Sequence, residues 1–358
     1  MLSSTKPSEW ARRLVRGAYD LHVHVEPDVM RRQVTDLQLA RRCWDVGLAG
    51  FALKSHYVPT AERAAVLNEA LNQTMQPGDV RVLGALTLNA SVGGMNPIAV
   101  EIAAREGARI LWMPTLDAAN HRAKHGDLPP GATPPMWLAL QRDLDAQGVT
   151  VPVVDVLDDA GRPLPATREV LRLAARHQLV VATGHLSAYE SRMVAEAAFG
   201  AGVRHVIVTH PEFPQQDMSR DDQLALAGQG AFLERCFTTP FTGKYDWARM
   251  ADNIRVTGPE HTIITTDLGQ PHNPPVEDGL PLMADALRAA EFTDKEITTM
   301  IVSNSRLLAG PDRQDSSAPG PGQPSPGQPG PGQPSPGQPS PGQPSPSQPS
   351  PSQHGDAA

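Results

Sequence analysis

The chain has 358 residues, 40% of them apolar, with a formal charge of −8 at neutral pH, 36 prolines and two cysteines. An acidic balance spread along the chain excludes the basic stripe of a nucleic-acid-binding surface, and Cys43 and Cys236 lack the spacing of a disulfide framework. No apolar run reaches the roughly 18 residues of a membrane span, and Met1 to Arg16 has no signal-peptide core. A cytoplasmic, reducing setting and a small-molecule substrate are expected, with no membrane partner and self-association left open.

The prolines are unevenly placed. Fifteen of the 36 follow Gly310, and residues 319–353 are all Pro, Gly, Gln or Ser. Without apolar side chains such a stretch cannot offset the entropy of ordering, so a disordered tail over 311–358 and a folded unit over 1–310 are expected.

In chain order the folded part predicts a strand over 18–25, a helix over 35–46 stopped by Gly47, and a strand over 50–57. A helix over 60–71, a strand over 80–89 and a helix over 97–106 come next. Asn96 is the N-cap of that last helix and Pro97 its first residue. Further strands are expected at 109–114, 179–185, 205–210, 231–237 and 262–267. Residues 149–164 read as a β-hairpin inserted beside the fifth strand. Helices are predicted from the capping box at Thr293 and over 304–308, where Gly310 stops the chain. Eight strands, mostly each followed by a helix, predict an α/β fold, a (β/α)₈ TIM barrel.

In this architecture the carboxyl ends of the strands build the active site. The first strand ends Asp20-Leu-His22-Val-His24. Alternation puts Asp20, His22 and His24 on the interior face and Leu21, Val23 and Val25 toward the helices. Two imidazoles at a barrel mouth suit a metal, and Asp20 would orient one of them. The fifth strand ends in His185, the sixth in His210 and the eighth in Asp267. Each is a metal-ligand type closing an apolar run. A histidine capping one strand end explains any one of them; the joint pattern points to a metal site.

This ordered set of strand-end ligands resembles the amidohydrolase superfamily of metal-dependent hydrolases, with its distorted (β/α)₈ barrel, over residues 18–310. The resemblance implies His22 and His24 as first-strand ligands, His185 and His210 as ligands of the fifth and sixth strands, and Asp267 as the eighth-strand carboxylate. Asn304-Ser-Arg-Leu-Leu308 is similar to the superfamily's closing helix. Lys54-Ser-His56-Tyr-Val-Pro59, Gly93-Gly94-Met-Asn-Pro97 and Trp112-Met-Pro-Thr115 resemble a branch of amidohydrolase-like proteins known mainly as a domain of unknown function.

One departure matters. Two-metal members of the superfamily bridge their ions with a carboxylated Lys, or a Glu, at the end of strand four, where this chain has Arg109-Ile-Leu-Trp-Met-Pro114. The second strand instead ends Lys54-Ser-His56. Lys54 as a displaced bridging carbamate, or His56 as an extra ligand, would supply a substitute; otherwise Lys54 binds an anionic substrate group as an ammonium, and the metal count, one or two, stays open with it.

Other residues complete the expected mouth. His121 and His125, in the loop after strand four, and Glu212, just past His210, are candidate substrate contacts. Glu234 interrupts an apolar strand and needs a partner, as a ligand, a proton shuttle or half of an ion pair. Gly93-Gly94 is either an anion cradle or a tight turn. The expected activity is hydrolysis of an amide, lactone or other ester, using a divalent ion, Zn²⁺ foremost and Mn or Fe as alternatives. Asp267 would relay the proton, and His210 or His185 would hold the metal or steady the oxyanion. A mononuclear decarboxylase or deaminase and a non-catalytic barrel that binds a metal or small ligand are the alternatives.

Overall fold

All eight expected strands form, and they pair in parallel in chain order. β1 (Tyr19–Val23), β2 (Gly50–Leu53), β3 (Arg81–Thr87) and β4 (Ala108–Trp112) precede the shorter β5 (Val180–Ala182) and β6 (Val206–Val208), followed by β7 (Phe232–Cys236) and β8 (Thr262–Thr265). The computed structural model describes residues 6–76, 79–124 and 136–311. The Pro-rich tail expected over 311–358 lies outside these residues from Asp312 onward.

The strands are nearly continuous apolar runs because both of their faces are covered, as parallel sheets require. Inside the barrel, Leu21, Ala52, Leu83, Ile110, Val180 and Ile263 share one cluster. Outside, Val23, Phe51 and Ile264 pack under the helices. The barrel closes where the Asp267 amide donates to His22 O at 2.8 Å and the His24 amide donates to Leu268 O at 2.8 Å.

The helices start where the sequence carries caps. Thr35 and Gln38 close a capping box ahead of Asp36–Val46, and Gly47 ends that helix with φ 79°. Asn96 caps Pro97–Arg105, and the Thr293 box starts Asp294–Thr298. The final helix, Asn304–Ala309, plugs the amino-terminal end of the barrel: Leu308 and Ala309 join the interior cluster, and Arg109 Nε donates to Leu308 O at 2.7 Å. That leaves the carboxyl ends of the strands as the open face.

Two local expectations change. The hairpin over 149–164 shrinks to a single antiparallel bridge, Leu157 with Pro163, around a turn in which Asp158 accepts from the amides of Ala160 and Arg162. In β1 the register slips: Asp20 pairs with Phe51 but Val23 pairs with Leu53, so three steps on one strand match two on the other. The extra residue resets the alternation. Leu21 therefore points into the barrel, and Asp20 leaves the face that carries His22 and His24. The Asp20 carboxylate instead accepts from Thr266 Oγ1 at 2.5 Å and from the amides of Thr266 and His22. It stitches β1 to the end of β8 rather than orienting an imidazole, and burial pushes its carboxyl up to about 7.

Candidate metal centre

The bulge has a useful result: it turns His22 and His24 to the same side as Asp267. His22 Nε2 and His24 Nε2 each lie 3.2 Å from Asp267 Oδ1. Among the described residues, His22, His24 and Asp267 form one of the two groups whose ligand atoms fall within 4.8 Å of one another. The Asp267 backbone is left-handed, with φ 53°, as is that of His210, with φ 27°. Non-glycine residues pay about 1–3 kcal/mol for such conformations, and here the bend returns both side chains to the mouth after their strands have ended. Gly184, with φ 63°, does the same for His185: a Cβ there would stand 2.5 Å from the carbonyls of Met113 and Pro114.

Five imidazoles close a circuit. Ring centroids are 5.5 Å apart for His22–His24, 5.0 Å for His24–His56 and 5.9 Å for His56–His185. His185–His210 at 5.1 Å and His210–His22 at 6.0 Å complete it. Lys54 belongs to this circuit, with Nζ 2.8 Å from His22 Nε2 and 5.3 Å from the centre of the Trp112 ring.

Four of the five histidines are held from behind. His22 Nδ1 meets Glu234 Oε1 at 3.0 Å, and that carboxylate also accepts from Thr265 Oγ1 at 3.0 Å and the His210 amide at 3.2 Å. His56 Nδ1 is 2.8 Å from Thr115 Oγ1, which in turn accepts from Asn89 Nδ2. His185 Nδ1 is 3.0 Å from His121 Nδ1, and Arg32 Nη2 is 3.4 Å from His24 Nδ1.

Electrostatics suit a cation. Burial, followed by the Arg32 guanidinium, lowers His24 to about 3; burial, followed by Lys54, lowers His210 to about 4. Burial also holds His56 and His185 well below the usual imidazole range. These four rings are thus neutral near pH 7, the form that ligates metals. His22 differs: burial and Lys54 lower it, but Glu234 and Asp267 outweigh them and raise it. Burial would raise Asp267 and Glu234, but His22 beside them prevails, holding Asp267 well below the carboxylate range and Glu234 near 2. Burial lowers Lys54.

The donor set fits a divalent ion. A carboxylate on His22 Nδ1 fixes the tautomer that leaves Nε2 free, the usual arrangement behind a metal-bound imidazole. Two buried polar atoms of this region, His210 Nδ1 and Trp112 Nε1, have no hydrogen-bond partner among the described residues, and buried polar atoms rarely stay so.

The structure therefore brings together His22, His24, Lys54, His56, His185, His210 and Asp267, with His121 behind His185. It does not bring Glu212 there. That carboxylate pairs with Arg235 Nη1 on the helix side of β7 and accepts from Asn253 Nδ2 at 3.1 Å; the residues past His210 turn outward, which separation in sequence does not reveal. His125 lies outside the described residues. The amides of Gly93 and Gly94 are spent on Ala90 O and Asn89 O, so that pair is a turn and not an anion cradle. Sequence reasoning missed Thr115 and Arg32, and it missed Cys236, whose Sγ is 3.8 Å from His22 Nδ1. Cys236 was reachable, because it lies two residues from Glu234 on the same strand face.

A family model described as a family of unknown function, DUF6282, matches residues 17–234. The chain belongs to that family. No curated protein matches the sequence of this DUF6282 member. Among solved structures it is similar to an amidohydrolase from Pseudomonas aeruginosa, at 13% identity over 83% of this chain and 98% of that one, with a TM-score of 0.54. It is also similar to the probable dipeptidase PvdM from Pseudomonas aeruginosa, at 12% identity over 84% and 96% of the two chains, with a TM-score of 0.51. At such identities the likeness is one of fold: this DUF6282 chain has the amidohydrolase barrel.

Proposed function

We propose that the chain is a metal-dependent hydrolase acting on an amide, lactone or other ester of a small molecule. The observation that carries this reading is the convergence of His22 Nε2 and His24 Nε2 on a single oxygen of Asp267 at 3.2 Å, inside a circuit of imidazoles that burial keeps mostly neutral.

His22, His24 and Asp267 would hold a divalent ion, with His185 and His210 completing the set; Zn²⁺ suits this donor chemistry best. Such an ion acidifies water and polarises a carbonyl or phosphoryl oxygen. The chain's own residues do the rest. Asp267 keeps a second oxygen, Oδ2, 3.3 Å from Thr238 Oγ1, and as an ionised carboxylate at the mouth it takes the proton of the attacking water and returns it to the leaving group.

Lys54 has two roles consistent with its place. As a carbamate it would supply the carboxylate that β4 lacks, and a lysine whose burial lowers its pKa is suited to that modification. As an ammonium 2.8 Å from His22 Nε2 it would stand in the path of an ion on that nitrogen, so ion binding requires Lys54 to join the donors or to move.

One observation favours a second reading. β4 ends in Trp112, with no carboxylate at the mouth, which suits a single-ion site and hence a decarboxylase or deaminase on the same ligands.

Metal analysis of the purified chain tests both. One or two equivalents are expected in the wild type, two pointing to the carbamate, and Asp267→Asn should lower turnover by about a thousandfold or more, a loss typical of removing a central catalytic group. Absence of bound metal together with no gain from added Zn²⁺ or Mn²⁺ rejects the hydrolase.

A further inference from the structure

A cavity of about 290 Å³ opens on the same face of the barrel, beside the imidazole circuit, with Tyr57, Leu116, Trp137, Leu140, Leu144 and Val149 in its wall. Several wall residues are chain neighbours of mouth residues. Tyr57 follows His56, and Leu116 follows Thr115, whose Oγ1 touches His56 Nδ1. The Trp137 ring lies 4.9 Å from His121, which reaches His185 at 3.0 Å. The chain past the ends of β2 and β4 thus supplies residues to both the cavity and the circuit.

The wall is uncharged where a ligand would meet it. Asp117 is its one ionisable carboxylate, and both oxygens are spoken for: Oδ1 by Arg122 Nη2 at 2.9 Å, Oδ2 by the Ala90 amide at 2.9 Å. Burial, then Asp28 and Asp117, push the Tyr57 phenol up to about 12, so it stays neutral. An apolar cavity of about 150 Å³ accepts a benzene ring. Twice that volume, walled by an indole, a phenol and aliphatic side chains, suits a substituted or bicyclic aromatic group.

We propose that this cavity receives an uncharged aromatic arm of the molecule whose reacting carbonyl sits in the imidazole circuit, so that the substrates are aryl-bearing amides or esters. The proposal rests on the hydrolase reading for the reacting bond, but the cavity can be tested without it.

The probe is 2-naphthylmethanol, which has no bond to hydrolyse, followed by its fluorescence on the full chain as purified. Leu140→Trp and Leu144→Trp each fill the cavity from a partly exposed helix position, and each should weaken binding about tenfold or more. The same proteins are then assayed with methyl 2-naphthylacetate and methyl acetate, whose ester bonds differ little electronically. A kcat/KM ratio of about tenfold or more in favour of the naphthyl ester is expected in the wild type, falling toward unity in both variants; as a ratio, it is insensitive to the folded fraction. Probe binding that is absent, or equal in all three proteins, overturns the proposal. Both esters turned over with equal kcat/KM also overturns it while leaving the hydrolase standing. Probe binding lost in the variants, with neither ester hydrolysed, supports the cavity and counts against the hydrolase.

Discussion

Glu234 and Arg235 are neighbours on β7, both charged types, both buried, and they belong to different parts of the molecule. Glu234 faces the barrel interior and holds His22 Nδ1, Thr265 Oγ1 and the His210 amide. Arg235 faces the helices and holds Glu212, Gln223 Oε1 and Thr257 Oγ1. Both satisfy the rule that a buried charge needs a partner. What separates them is what the partner does next. Glu212 ends its chain of contacts in a helix side chain, whereas His22 turns its second nitrogen to Asp267 and Lys54 among the other candidate ligands. Burial of charge therefore does not identify a site; a partner whose other ligand atom converges on further ligand types does.

Three substitutions sharpen or break that contrast. Arg235→Met leaves Glu212 buried without its cation, and removing one partner of a buried pair costs about 3–5 kcal/mol. Chemical denaturation should show this loss, with part of it recovered when Glu212→Gln is added, and metal content per folded chain should be unchanged. Glu234→Gln keeps the shape but weakens the acceptor behind His22, so metal affinity should fall about 10- to 100-fold, read by chelator competition, with a smaller effect on folding. A variant at position 235 that loses metal but not stability, or one at 234 that does the reverse, breaks the distinction between the two faces.

The smallest effect lies far from the mouth. Hydrogen bonds from His177 and then Arg105 hold the Glu101 carboxyl down to about 2. Because the folded-state pKa is depressed, its contribution is present above about 4.5 and is lost as pH falls toward 2. The difference in Tm between wild type and Glu101→Gln should be small at pH 6 and shrink further toward pH 2, since an exposed pair is screened by solvent. A difference that grows on acidification would contradict the assignment.

Much of the barrel was legible because its signals are local. The eight apolar runs form the eight strands. The caps at Thr35, Asn96 and Thr293, and the Gly47 and Gly310 stops, carry their geometry in a few adjacent residues. His22, His24, His185, His210 and Asp267 were legible for a related reason: each ends an apolar run, and in a barrel the ends of the strands meet.

The sequence by itself determined which residue types stand at the strand ends, and with them the fold and a candidate donor set. Only the tertiary structure decided which way those residues point. A single extra residue in β1 turned Asp20 out and Leu21 in, since side-chain alternation has a period of two and one inserted residue inverts it. The outward turn past His210 carried Glu212 to Arg235. Lys54, just past a strand with no sequence link to His22, came within 2.8 Å of it through the pairing of β1 with β2. Such contacts depend on register and long-range packing, which local residue patterns do not encode.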